Sequence, residues 1–185
     1  MSGHYAAIRT VLSFWFQESG PDLWFQGGAD FDARVAERLG PLHDRAAAGA
    51  FDAWGDTPEG CLALCILLDQ APRNMFRGTA RAFATDARAL EIADGAVDRG
   101  FDRGMTEDQR LFLYLPFEHA EDMDCQRRSV RLFAANTADP RYLDYACRHL
   151  AVIALFGRFP HRNAILGRES TAEEAAFLAI PGSGF

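Results

Sequence analysis

Apolar positions recur at three- and four-residue spacing along nearly the whole chain, the pattern of helices with one buried face. From about residue 4 to 18, Ile8, Leu12, Trp15 and Phe16 form one such stripe, which Gly20-Pro21 should stop. A second begins after Asp30, a good N-cap, and carries Phe31, Val35, Leu39 and Leu42 toward Gly49, with Gly40-Pro41 expected to bend or divide it. Thr57-Pro58 reads as N-cap and first helical residue of a third helix. Its run 61–68 is apolar on every side, so it should be central. Further helices are expected from Thr85 to near Gly100, and from the Thr106/Gln109 capping box over a short span. Pro116 permits a new start, from which a long polar-faced helix should run to about Asn136. Asp139-Pro140 opens the next, ending near Gly157, and Thr171 with Glu174 makes a capping box for the last. Strand alternation and hairpin dipeptides are lacking. The expected fold is all-α, a single helical domain over residues 1–185.

Composition sharpens this. A chain of 185 residues buries roughly 70% of its unfolded surface, and 49% apolar content supplies the core. The net charge of −7 disfavours a nucleic-acid binder. Every basic residue is Arg, so phosphate-loop, Schiff-base and pyridoxal-phosphate lysine chemistry is excluded. Cys61, Cys65, Cys125 and Cys147 have no metal or redox spacing. The N-terminus lacks a signal-peptide pattern, and no apolar run approaches the ~20 residues that span a bilayer. A cytoplasmic location without a membrane span is expected. No metal site is required by the spacing of the acidic and histidine residues, and no cofactor is indicated.

Two apolar helices run out into similar polar segments, 67–74 and 155–163, each holding Pro, Arg and Asn, and these could face each other. The first places Asp69, Gln70, Arg73, Asn74 and Arg77 together. Its guanidiniums suit a carboxylate or phosphate, although Arg and Asn also cap helix ends. The second carries Arg158, His161, Arg162 and Asn163, with Arg168 beyond, and is the more ligand-like of the two. On the helix expected after Pro116, Glu118, Glu121 and Asp122 would share a face that Cys125 continues, with His119 to the side. Close carboxylates raise at least one pKa, as a general acid or base requires; a solvated acidic first turn is the bland alternative. His149 lies on the face of Tyr142, Ala146, Ile153 and Phe156, pointing an imidazole inward. Cys125, beside acidic residues, is a poor nucleophile.

Val11-Leu12 into Phe14-Trp15-Phe16, Leu68-Asp69-Gln70 into Pro72-Arg73-Asn74, Leu115-Pro116-Phe117 into His119-Ala120-Glu121-Asp122, and the run 156–163 resemble the bacterial family catalogued as domain of unknown function 924. The resemblance implies an all-helical, tetratricopeptide-like architecture and no settled activity. It also implies Ser at 120 and an aromatic at 71, where Ala stands here. A step relying on that serine would be lost.

Three functions fit these observations. One is a pocket for a small anionic molecule in which Arg73, Arg77, Arg158 and Arg162 supply charge, Asp69, Asn74, Asp122, His161 and Asn163 complete the lining, and His119, His149, Glu118 and Glu121 move protons. The second is an interaction module presenting Trp15, Phe16, Trp24 and Phe25 to another protein or a second copy of the chain. The third is a buried salt-bridge lattice holding the helices in register.

Overall fold

The apolar run at 61–68 lies at the centre of the molecule, each of its residues at most 2% exposed. All-round hydrophobicity leaves such a helix no solvent face, so neighbours must cover every side. The computed structural model describes residues 2–25 and 27–183, and no strand occurs among them. The helices in chain order are α1 (Ser2–Ser13), α2 (Pro21–Trp24), α3 (Gly28–Ala47), α4 (Pro58–Cys65), α5 (Ala71–Met75), α6 (Asp86–Asp98), α7 (Glu107–Glu118), α8 (Met123–Asn136), α9 (Pro140–Phe156) and α10 (Ala172–Leu178). α1, α6 and α7 pack around α4, α3 lies along α5, and α8 is held between α7 and α9.

Local signals set most boundaries. Thr57 caps α4 by accepting from Gly60 N–H, with Pro58 at the first helical position. Gly60 is required there, because a Cβ would meet the Trp54 carbonyl oxygen at 2.0 Å. Asp139 caps α9, and Gly157 ends it in the left-handed region at φ 69°. Both capping boxes form in full. Because the Thr106 box starts the helix that ends in Glu118, Thr106→Ala should cost about 1 kcal/mol, read as a lower urea midpoint with unchanged slope.

The prolines behave differently from expectation. α3 runs straight through Pro41, and α7 through Pro116. In each case a continuous buried surface spans the proline: Phe31, Val35, Leu39, His43 and Ala46 in α3, and every residue from Leu111 to Glu118 in α7. Packing on both sides outweighs the missing N–H and the steric cost. Asp30 is not a cap but lies in the first turn of α3.

The consequence of Pro116 is larger. The helix expected after it does not begin there. α7 ends at Glu118, and α8 starts at Met123 with Asp122 as its N-cap, accepting from Asp124 and Cys125 N–H. Glu118, Glu121 and Asp122 therefore do not share a helix face. Asp122 is an exposed cap and Glu121 lies in the connection.

Candidate functional site

The site begins with a fault in the central helix. Between α4 and α5 the segment Ile66–Gln70 is π-helical, and Ala71 N–H donates to Ile66 O five residues back. Pro72 has no N–H to offer, so carbonyls on the preceding turn lose their helical donors. Side chains replace them: His43 Nδ1 lies 2.9 Å from Leu67 O, Thr85 Oγ1 donates to Leu68 O at 2.5 Å, and Arg73 Nη1 donates to Asp69 O at 2.6 Å. Helix thus continues where a polar exit was expected. Asp69 is carried into the interior, at 0% exposure. Single-turn π bulges of this kind occur often at functional sites.

Asp69 does not lie there alone. Its carboxylate meets Arg73 at 3.0 Å, and His119 Nδ1 at 2.8 and 3.0 Å from its two oxygens. Burial opposes ionisation, but Arg73 and His119 overcome it and hold the carboxyl well below the usual range. An ionised carboxylate can only accept, so Nδ1 of His119 carries the proton and Nε2 keeps the lone pair. Burial and then Arg73 push His119 below its ordinary pKa despite Asp69, which keeps the ring a neutral base. Arg73 also donates to both oxygens of Asp86 at 2.9 and 3.0 Å, and Arg162 reaches Asp86 at 3.6 Å. The two proline-containing segments therefore do face each other, with Asp86 between their arginines.

Glu118 is the unusual member. It is 3% exposed at the end of α7, and no arginine lies within ion-pair distance among the described residues; its partner is His149 Nδ1 at 3.1 Å. Burial, then the Asp69 charge, raise its pKa to about 8. His149 Nδ1 also lies 2.9 Å from Tyr145 O, which fixes its proton on that nitrogen. Burial, then His119, lower His149 to about 3. At neutral pH the pair is a carboxylic acid beside a neutral imidazole, and the ring centroids of His119 and His149 are 6.1 Å apart.

The other candidates sort into separate groups. Glu121 accepts from Arg168 through both oxygens, at 2.6 and 2.9 Å, and from Phe159 N–H at 2.8 Å. Burial resists, but those donors lower its pKa, and they tie it to the 159–168 loop. Arg158 is tied to Glu174 at 2.6 and 2.8 Å, and Asn163 reaches Glu174 at 3.2 Å and Ser170 at 3.0 Å. These two anchor α10. Asn74 and Arg77 both turn to Asp32 on α3, at 2.7 and 2.8 Å. His161 is half-buried, its pKa lowered to about 4 by burial and then by Arg162, so of the second segment His161 and Arg162 belong with the cluster. Asp86 was not foreseen; an acidic residue at the start of a helix carries no mark beyond the helix dipole.

The aromatics proposed for a partner are mostly interior. Trp15 and Trp24 are buried, Phe16 is partly buried, and Phe25 is exposed. Cys125 has its pKa raised to about 11 by burial and then by Asp122. No group of three or more His, Cys, Asp or Glu among the described residues is placed to hold a metal ion. Cavities of about 470 and 280 Å³ lie along α9 and α10, and neither reaches the cluster. Among the described residues no helix is long and apolar enough to cross a membrane.

Fold and site together define an all-helical protein with acid, base and guanidinium side chains gathered at a π turn of its central helix. The chain belongs to the family described as bacterial protein of unknown function, DUF924, whose model matches residues 11–182. It is similar to a solved structure of a protein of unknown function from Agrobacterium tumefaciens. The two share 44% identity and a TM-score of 0.90, over 95% of this chain and 98% of that one. None of the curated proteins matches the chain.

Proposed function

We propose that this cluster binds a small anionic molecule and moves a proton on it, with Glu118 as general acid and His119 as general base. The observation that carries this reading is the Glu118–His149 pair. A buried carboxyl kept protonated beside an imidazole kept neutral is how one site holds acid and base forms at the same pH. Asp69 fixes the tautomer of His119 and presents Nε2 as the basic nitrogen, while His149 holds the Glu118 carboxyl in place. Arg73 and Arg162 provide the attraction for an anion. Acid–base hydrolysis or isomerisation suits these groups. Arg73 and Asp86 are partly exposed at one side of an otherwise buried cluster, an opening that favours a small ligand over a protein partner.

A thermal-shift screen of anionic metabolites tests it. A ligand at 100 times its Kd should add about 2.7 kcal/mol of stability. Glu118→Gln is close in shape to the protonated acid and should leave that shift nearly intact. Turnover of the identified ligand should fall by roughly 10²- to 10⁴-fold, the usual contribution of a general acid. A Glu118→Gln protein that turns the ligand over at the wild-type rate would remove the acid role.

A further inference from the structure

Arg162 is 6% exposed, and its guanidinium carbon lies 4.7 Å from the Phe83 ring centroid and 4.5 Å from that of Phe159. Aromatic contact gives a guanidinium no hydrogen-bond acceptor for its N–H groups, whose in-plane fork is the geometry of bidentate carboxylate and phosphate recognition. Those edges are poorly used. Nη1 has only Asp86, at 3.6 Å, too long for a hydrogen bond, and the buried Nε–H has no acceptor among the described residues. Other carboxylates of this region, Asp69, Glu121 and Glu174, are already engaged by Arg73, Arg168 and Arg158. Burial, then the nearby Arg73, lower the pKa of Arg162 to about 10, the mark of a cation short of partners. A buried donor with no acceptor is rare and needs an explanation.

Asp86 supplies one. It gives both oxygens to Arg73 and sits at long range from Arg162, on the partly exposed side of the cluster. Its carboxylate is therefore a loose internal occupant of the position between the two arginines. We infer that Arg162 is the anchor of an oxyanion subsite: a small carboxylate or phosphate takes its Nε and Nη edge, displacing Asp86 from it, and Asp86 remains paired with Arg73. This deepens the ligand-site reading above and rests on it. It names the recognised group as a single terminal oxyanion, and it makes Asp86 a built-in competitor that sets the affinity.

Inorganic phosphate and acetate, titrated separately against the whole protein by calorimetry, test this and separate the two oxyanions. Removing the competing charge in Asp86→Asn should tighten binding of the preferred anion roughly tenfold or more. Arg162→Lys keeps the positive charge but lacks the in-plane fork, and should weaken binding by roughly tenfold or more. Should Arg162→Lys fail to fold, the Asp86→Asn comparison still decides. Binding to wild type that neither substitution alters overturns the Arg162 subsite and leaves the wider ligand-site reading standing. If neither anion binds wild type or Asp86→Asn at millimolar concentration, the subsite and the anionic-ligand reading fall together.

Discussion

Asp69→Asn should be among the most damaging single substitutions in this protein, costing about 3–5 kcal/mol, the loss expected when one partner of a buried ion pair is removed. The side chain is fully buried and takes Arg73 at 3.0 Å, His119 at 2.8 Å and Gln70 Nε2 at 2.5 Å. Asparagine keeps the shape but offers one acceptor where these donors need more, and its amide would point N–H at N–H. Arg73 is not abandoned, because Asp86 still holds it. His119 would have nothing to fix its tautomer. Denaturant unfolding measures the loss, and a cycle with Arg73→Met assigns it. If the lost Asp69–Arg73 pairing is responsible, Arg73→Met should cost less in the Asp69→Asn background than in wild type. A cost below ~1 kcal/mol would mean that the buried carboxylate is not sustained by these partners.

The same residue shows why part of the site was hidden from the sequence. Capping boxes, Thr57-Pro58 and Asp139-Pro140 act within a few residues, so α4, α7, α9 and α10 start where the local chemistry places them. The inward face of α9 was equally legible, because a helical period alone puts His149 with Ala146 and Ile153. Pro41, Pro72 and Pro116 were misleading for one common reason. Proline ends a helix only when nothing else holds the chain, and in all three places buried neighbours or substitute donors do. Missing the continuation at Pro72 hid the π turn that takes Asp69 inside. Missing it at Pro116 gathered Glu118, Glu121 and Asp122 onto one face, when the chain assigns them to a buried helix end, a loop and a cap. Asp86 stayed invisible because its partners, Arg73 and Arg162, reach it through the fold, the second from far off in sequence.

Stability should peak near pH 6.5 and fall on either side, and Glu118→Gln should abolish the alkaline fall. The signs follow from a raised carboxyl opposed by lowered imidazoles. Glu118 rises on folding from its ordinary 4.5 to about 8, so its contribution is complete below pH 4.5 and is lost as pH climbs through 8. His149 drops on folding from 6.5 to about 3, so its contribution is complete above 6.5 and is lost as pH falls through 3. Between pH 4.5 and 6.5 the Glu118 and His149 slopes, each about 1.4 kcal/mol per pH unit, cancel, and His161 and His119, both lowered on folding, make stability rise toward pH 6.5. From pH 6.5 to 8 only Glu118 titrates between its two values, and about 2 kcal/mol should be lost. Below pH 4.5 His149 acts without that compensation. Asp69, held below its ordinary value, adds to the acid loss. In Glu118→Gln the alkaline slope has no source, so its stability should climb to pH 6.5 and then hold level to pH 8. Relative to its own value at pH 6.5, the variant should therefore be about 2 kcal/mol better off than wild type at pH 8. Urea midpoints for both proteins across pH 4–8 decide it. A wild type that keeps its full stability from pH 6.5 to 8 would show that Glu118 ionises at its ordinary pKa, and the general acid would be lost with it.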